Sequence, residues 1–208
     1  MAEGAAAMDD LIDGYRRFRA THWPERRATF EALARNGQAP RALVVACSDS
    51  RVDPAMIFNA GPGELFVIRN VAALVPPYEP DAAYHATSAA LEFAVRGLEV
   101  PTVIVMGHAM CGGIHALLEG PTHPVGDFLV PWMRIAEPAK RRVLACGAAD
   151  PQTACEQESV KLSLANLLTF PWVAEPVRAG RLRLEGMTFD IRSGVLAILQ
   201  EDGRFAPV

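Results

Sequence analysis

Ala42-Leu43-Val44-Val45-Ala46-Cys47-Ser48-Asp49-Ser50-Arg51 is the stretch on which the reading of this chain turns. An apolar run, β-branched at its centre, ends abruptly in a polar turn. Such a run reads as a strand buried on both faces, as in a parallel sheet covered by helices. The pattern recurs in Glu64-Leu65-Phe66-Val67-Ile68-Arg69-Asn70 and in Thr102-Val103-Ile104-Val105-Met106-Gly107-His108. Between those two, residues 81–97 carry Thr87, Leu91, Ala94 and Leu98 at helical spacing, and Cys111 to Glu119 forms the helix after the third strand. Asp53-Pro54 opens a short helix, with Asp53 as cap and Pro54 at the first helical position. Strands alternating with helices predict an α/β fold: a mostly parallel central sheet, flanked by helices and joined by right-handed crossovers.

Outward from this centre, the first forty residues read as an N-terminal helical arm. Leu11, Tyr15 and Phe18 form one apolar stripe, and Phe30 and Leu33 form a second after a break at Trp23-Pro24. Arg16, Arg17, Arg19, Arg26 and Arg27 lie between them as a solvated face, and Asn36-Gly37-Gln38-Ala39-Pro40 stops the helix. Residues 125–146 and 150–179 read as helical, with Pro131, Pro138 and Pro171 as interruptions. Arg183 to Ile191 and Val195 to Gln200 flank Arg192-Ser193-Gly194 in a hairpin pattern. One domain is expected over 1–208, with the arm at 1–37 and the α/β core at 38–208. The 208 residues are 50% hydrophobic and 21% charged, enough to bury a core without disulfide staples. A formal net charge of −4 argues against a broad electrostatic grip on nucleic acid. No apolar run approaches the roughly 20 residues of a membrane-spanning helix. Met1 to Asp10 lacks the basic region of a secretory signal, so the expected location is the cytoplasm.

In a reducing compartment, Cys47, Cys111, Cys146 and Cys155 are buried small hydrophobes, reactive thiols or metal ligands. Cys47-Ser48-Asp49-Ser50-Arg51 and His108-Ala109-Met110-Cys111 each sit where a buried strand gives way to a turn. Ligands bind beyond the carboxyl ends of the strands in such sheets. If the strands are adjacent, Cys47, His108 and Cys111 converge there. Two thiolates and one imidazole suit zinc, and three protein ligands leave a tetrahedral position open for water. Zinc lowers the pKa of that water and makes hydroxide available near neutral pH. Zn²⁺ with two thiolates is formally neutral, so nearby hydrogen bonds must help to hold a hydroxide. Arg51 would keep Asp49 ionised, and Asp49 could then orient the hydroxide or swing onto the metal as a fourth ligand. A structural Cys/Cys/His/Asp zinc site is the plainer alternative. Cys146 and Cys155 have no histidine at ligand spacing and read as non-ligands. His22, His85, His115 and His123 read as surface or capping residues, and Arg141-Arg142 as a solvated face.

With these motifs in that order, the sequence resembles the β-class carbonic anhydrases. The resemblance is carried by Cys47-Ser48-Asp49-Ser50-Arg51, by Gly63-Glu64-Leu65-Phe66-Val67-Ile68-Arg69-Asn70-Val71-Ala72, and by Gly107-His108-Ala109-Met110-Cys111-Gly112-Gly113. Fainter echoes lie in Gly14-Tyr15-Arg16-Arg17-Phe18, Ser163 to Pro171 and Gly186 to Asp190, so the match spans roughly residues 9–200. It implies a lyase that hydrates CO2 reversibly to bicarbonate and a proton. It implies one Zn²⁺ per subunit on Cys47, His108 and Cys111, an Asp49/Arg51 dyad, and a homodimer or a dimer of dimers. Plant-type members with an open zinc carry a Gln nine positions before the first zinc cysteine, and Gln38 stands there. Phe66, Val71 and Phe93 match their CO2 pocket, with Phe93 lent by the neighbouring subunit. Gly112, with Gly113, would permit close backbone approach and leave helix-start amides free for substrate. Bicarbonate-regulated closed members have a Trp three positions before that cysteine. Val44 stands there in this chain, although Arg69 matches another part of their regulatory site, so the open form is expected. Apolar walls can hold CO2 by dispersion, and Gln38 can donate a hydrogen bond to the oxygen that becomes negative. The rivals are a carbonyl sulfide or carbon disulfide hydrolase on the same metal, and a zinc-stabilised binding protein without catalysis.

Overall fold

The computed structural model describes residues 2–81, 83–121 and 126–208, with side chains from residue 7 onward. His123, expected at the surface, lies outside the described residues. The chain divides into two compact units, Met1–Gln38 and Ala39–Val208.

The first unit is helix α1 (Ala2–Asn36), with Pro24 inside it. On a straight helix, Phe18 and Phe30 would stand about 18 Å apart. Their ring centroids are 6.5 Å apart, so the axis bends between them. Pro24 turns it, because it cannot donate to the carbonyl of Ala20 and its ring crowds that turn. Trp23 packs against both rings, 6.4 Å from Phe18 and 5.2 Å from Phe30. The break expected at Trp23-Pro24 is therefore a kink within one helix. The five arginines of the basic run are exposed, and Arg16 and Arg27 pair one turn away with Asp13 and Glu31.

The second unit runs β1 (Ala42–Cys47), α2 (Pro54–Ile57), β2 (Leu65–Asn70), a 3-10 turn (Val71–Ala73) and α3 (Ala86–Glu92), which continues as a π turn (Phe93–Gly97). After β3 (Thr102–His108) come α4 (Gly112–Glu119), α5 (Leu129–Met133), α6 (Glu137–Ala145), α7 (Pro151–Leu167) and α8 (Pro171–Arg178). The hairpin β4 (Arg183–Asp190) and β5 (Val195–Leu199) follows, then β6 (Phe205–Pro207). The strand order is β2-β1-β3-β4-β5-β6. The pairings from β2 through β4 are parallel, and those of β5 with β4 and β6 are antiparallel. The expected mostly parallel α/β sheet is what forms, with β6 as an edge strand that the sequence pattern did not disclose.

Several prolines open helices rather than interrupt them. Pro54, Pro138, Pro151 and Pro171 stand in the first turn of α2, α6, α7 and α8, where a missing N–H costs nothing. Asp53 caps α2 by accepting from Ala55 N and Met56 N. The helix expected from residue 81 starts at Ala86, since Asp81 accepts from Ala83 N and faces the His85 ring instead.

β1 is buried along its whole length, and β3 nearly so. Leu43, Val45, Val103 and Val105 face a layer containing Leu91, Ala94, Val160, Leu167 and Phe170. Val44, Ala46, Ile104 and Met106 form the opposite face. Each such buried side chain contributes about 1.5–3 kcal/mol. Gly107 sets how close α7 comes to β3, because a Cβ there would lie 2.7 Å from Val160 Cγ2. In the β1–β3 register, Ala46 lies opposite Met106, so Cys47 and His108 emerge together at the carboxyl ends of two central strands.

Candidate metal and catalytic site

At those strand ends one ligand atom from each of Cys47, His108 and Cys111 lies within 4.8 Å of the other two, and all three residues are buried. Cys47 ends β1, His108 ends β3, and Cys111 is the N-cap of α4. The three candidate ligands from distant stretches of sequence therefore converge. The His108 ring lies 2.9 Å through Nδ1 from the carbonyl of Ala109, which places the proton on Nδ1. Nε2 is then a bare lone pair, buried and without a partner among the described residues. A buried nitrogen left unpartnered is costly unless something else fills its valence. Both thiols are free. The donor set, its spacing and the orphaned nitrogen fit a divalent zinc ion.

The thiols are electrostatically unlike. The Cys47 thiol is pulled down to about 4, first by a hydrogen bond from Cys111, with burial opposing and His108 and two backbone N–H groups adding to the effect. Cys111, the donor in that bond, is pushed up by it and by burial. Burial works against protonating His108, but the nearby Cys47 sulfur and its negative charge outweigh it and raise the pKa. The backbone N–H of Ala72 also donates to Cys47 Sγ at 3.3 Å.

Asp49 and Arg51 form the paired geometry that their spacing suggested. Arg51 Nε and Nη2 reach the two carboxylate oxygens at 2.9 and 2.7 Å, and the Arg51 backbone N–H donates at 3.0 Å. These bonds hold the Asp49 carboxyl far below the usual carboxylate range, against the opposing effect of burial. Arg51 Nη2 also donates to the Met110 carbonyl at 3.2 Å, tying the dyad to the loop that carries Cys111. Asp49 Oδ2 lies 3.9 Å from His108 Nε2, beside the ligand cluster.

Arg69 points back into its own chain. Its guanidinium donates to the carbonyls of Cys47 (2.9 Å), Asp49 (2.6 Å) and Val52 (3.4 Å) and pairs with Asp53 (3.1 Å). It thus splints the loop between β1 and α2, and Val44 in the middle of β1 is fully buried. Two loops at the site hold strained backbone. Ala72 has φ 66° and Met110 φ 58°, where a Cβ is disfavoured. Trp132 Nε1 donates to the Val71 carbonyl at 2.8 Å and secures the first of them. The adjacent glycines differ. A Cβ on Gly113 would lie 2.7 Å from Val71 Cγ1, whereas one on Gly112 meets nothing within 4 Å. Close approach is therefore the property of Gly113, and Gly112 faces open space.

Val71 adjoins the cluster through the turn that holds Cys47. Phe66 and Phe93 do not. They pack on each other, with centroids 5.8 Å apart. Phe66 lies about 13 Å back along β2 from Asn70, the residue level with Cys47. Gln38 closes the first unit and is exposed. Cys146 and Cys155 stand outside the cluster, and burial raises the Cys155 thiol. His22, His85 and His115 are exposed.

Two site residues escaped sequence reasoning. Glu156 of α7, 5% exposed, accepts the Cys111 backbone N–H at 2.8 Å. Gln152, one turn earlier, donates to the Cys111 carbonyl at 3.1 Å and to Glu156 at 2.6 Å. The available signal was a glutamate on the buried stripe of α7 that also contains Ser159, Val160, Ser163 and Leu167.

Residues 42–196 match a family model described as carbonic anhydrase. A β carbonic anhydrase from Arabidopsis thaliana is 36% identical over 97% of this chain and 80% of its own length. A carbonic anhydrase from Pseudomonas aeruginosa is 39% identical over 95% of this chain and 90% of its own. Among solved structures, the β-carbonic anhydrase CcaA superposes with a TM-score of 0.88 at 32% identity, covering 98% of this chain and 92% of that one. A tetrameric β-carbonic anhydrase of Sordaria macrospora gives a TM-score of 0.74 at 27% identity, covering 98% of each chain.

Proposed function

The chain belongs to the carbonic anhydrase family, in its β class, and from that premise we propose that it catalyses the reversible hydration of CO2 to bicarbonate and a proton, with one Zn²⁺ held by Cys47, His108 and Cys111. The observation that carries the reading is the bare, buried Nε2 of His108 facing two free thiols. A zinc ion bound there supplies a water nucleophile near neutral pH.

The protein's own residues do the rest. Asp49, fixed through both oxygens by Arg51, accepts a hydrogen bond from the nucleophile and aims its lone pair at the carbon of CO2. Because Arg51 holds the carboxyl far below the usual range, Asp49 stays an acceptor throughout the neutral range. Val71 and the open space before Gly112 form the near wall of the cleft. Phe66 and Phe93 pack on each other away from their own ligand cluster, which supports Phe93 as an apolar wall lent to a second copy of the chain in a homodimer or a dimer of dimers. The resting site is the open form. Both oxygens of Asp49 are engaged by Arg51, Val44 leaves no Trp in the regulatory position, and Arg69 is spent on its own loop. The two ligand thiols must stay reduced, which supports a cytoplasmic location. None of the described helices is long and apolar enough to cross a membrane.

Stopped-flow CO2 hydration by wild type and His108→Ala, with zinc quantified in both, tests this reading. Wild type should carry one zinc per chain and accelerate hydration, and His108→Ala should lose both properties. Stoichiometric zinc with no acceleration between pH 7 and 9 would overturn catalysis in favour of a structural metal.

A further inference from the structure

The three ligand residues are held in different ways. His108 bonds the carbonyl of its own neighbour, and Cys47 ends a strand buried within the sheet. Cys111 lies outside the sheet, straight after Met110 in its left-handed conformation, so strand pairing cannot fix it. Its peptide is nevertheless held at both ends. Glu156 Oε1 accepts the N–H at 2.8 Å, and Gln152 Nε2 donates to the C=O at 3.1 Å. The two side chains come from consecutive turns of α7 and are locked together by the 2.6 Å bond from Gln152 Nε2 to Glu156 Oε1. A buried carboxylate with no Lys or Arg partner among the described residues is an expensive way to stabilise a helix. The fold also brings α7 unusually close. At Gly107 a Cβ would collide with Val160 Cγ2 at 2.7 Å and touch the Glu156 carbonyl at 3.7 Å. Glycine at that position is what lets Glu156 and Gln152 reach the loop.

We propose that Gln152 and Glu156 are a positioning pair that clamps the Cys111 peptide and thereby aims Cys111 Sγ at the metal. The inference rests on Cys47, His108 and Cys111 holding zinc. The pair supplies no atom to the ligand cluster, and it acts through the ligand whose backbone it holds. Groups of this kind around a metal ligand typically change metal affinity 10- to 100-fold.

The test compares wild type, Glu156→Gln, Glu156→Leu and Gln152→Leu by competition for Zn²⁺ against a chromophoric chelator. The ligand-field absorption of the Co²⁺ forms and the thermal midpoint of each apo protein are recorded alongside. Glu156→Gln keeps an acceptor oxygen for Cys111 N–H and should hold zinc within a few-fold of wild type, with an unchanged cobalt spectrum. Glu156→Leu removes the acceptor and should weaken zinc about 10- to 100-fold with an altered spectrum. If Glu156→Leu does not fold, Gln152→Leu carries the test, with a loss in the same direction. Wild-type affinity in folded Glu156→Leu and Gln152→Leu would overturn the clamp, as would a loss in Glu156→Gln as large as that in Glu156→Leu. Failure of wild type itself to bind zinc would instead overturn the metal site.

Discussion

Asp49 is ionised and immobile for the same reason. The three bonds from Arg51 that depress its pKa also leave its carboxylate one orientation, 3.9 Å from His108 Nε2. An acceptor aimed in advance loses little reorganisation energy at the moment of reaction. Asp49→Ala should therefore keep its zinc, since no ligand is removed, and lose about 100-fold or more in CO2 hydration, the usual scale for a positioned acid–base group. Metal analysis beside stopped-flow rates checks both halves, and unchanged turnover would remove Asp49 from the chemistry. At this scale the sequence is informative. The Cys-x-Asp-x-Arg and His-x-x-Cys stretches, taken together at matching strand ends, point to the three residues that converge and to the Asp49–Arg51 pair. Glu156 stays hidden because a buried glutamate looks like any helical glutamate until its neighbours are known.

Among elements, the start of α4 shows how a small residue controls a distant ligand. Gly113 lies against Val71, and the turn after Val71 presents the Ala72 N–H to Cys47 Sγ. Gly113→Ala should force that turn away and cost about 1–3 kcal/mol, the range for overpacking a filled site. In a chain of this size that is roughly 2–4 °C of thermal midpoint per kcal/mol. Gly112→Ala meets open space on a helix and should leave the midpoint unchanged or slightly higher. Thermal unfolding of the two variants side by side separates the roles, and equal midpoints would refute the packing difference. The elements themselves are legible where the physics is local. β1 and β3 fall where their apolar runs lie, and Thr87, Leu91 and Ala94 form the buried face of their helix. Pro24 departs from its sequence reading because a proline ends a helix only when nothing beyond it packs back. Here Phe18, Trp23 and Phe30 close over the bend.

For the whole molecule, the packed Phe66–Phe93 pair sets the question of assembly. If that pair walls the cleft of a second copy, damaging it should injure the neighbour's site rather than its own. Subunit exchange between Phe93→Ala and His108→Ala preparations then makes a specific demand. In a mixed dimer the intact zinc of the first chain faces the intact Phe93 of the second, so activity should rise above the average of the two parents. Strict additivity after exchange, verified by a mass-tagged subunit, would place Phe93 in core packing alone.

The sequence by itself determined the alternation of strands and helices up to the β4–β5 hairpin, the mostly parallel character of the sheet and the three candidate ligands that converge. These follow from hydrophobic period, turn chemistry and donor type, all of which are properties of short stretches. Tertiary structure alone decided that α7 reaches the Cys111 peptide, that Arg69 turns inward onto the β1–α2 loop, that Gly113 rather than Gly112 is the packed glycine, and that Phe66 and Phe93 lie away from their own cluster. Each of these depends on the distance between groups far apart along the chain. That distance is fixed only when the close-packed core leaves one arrangement without overlap or void.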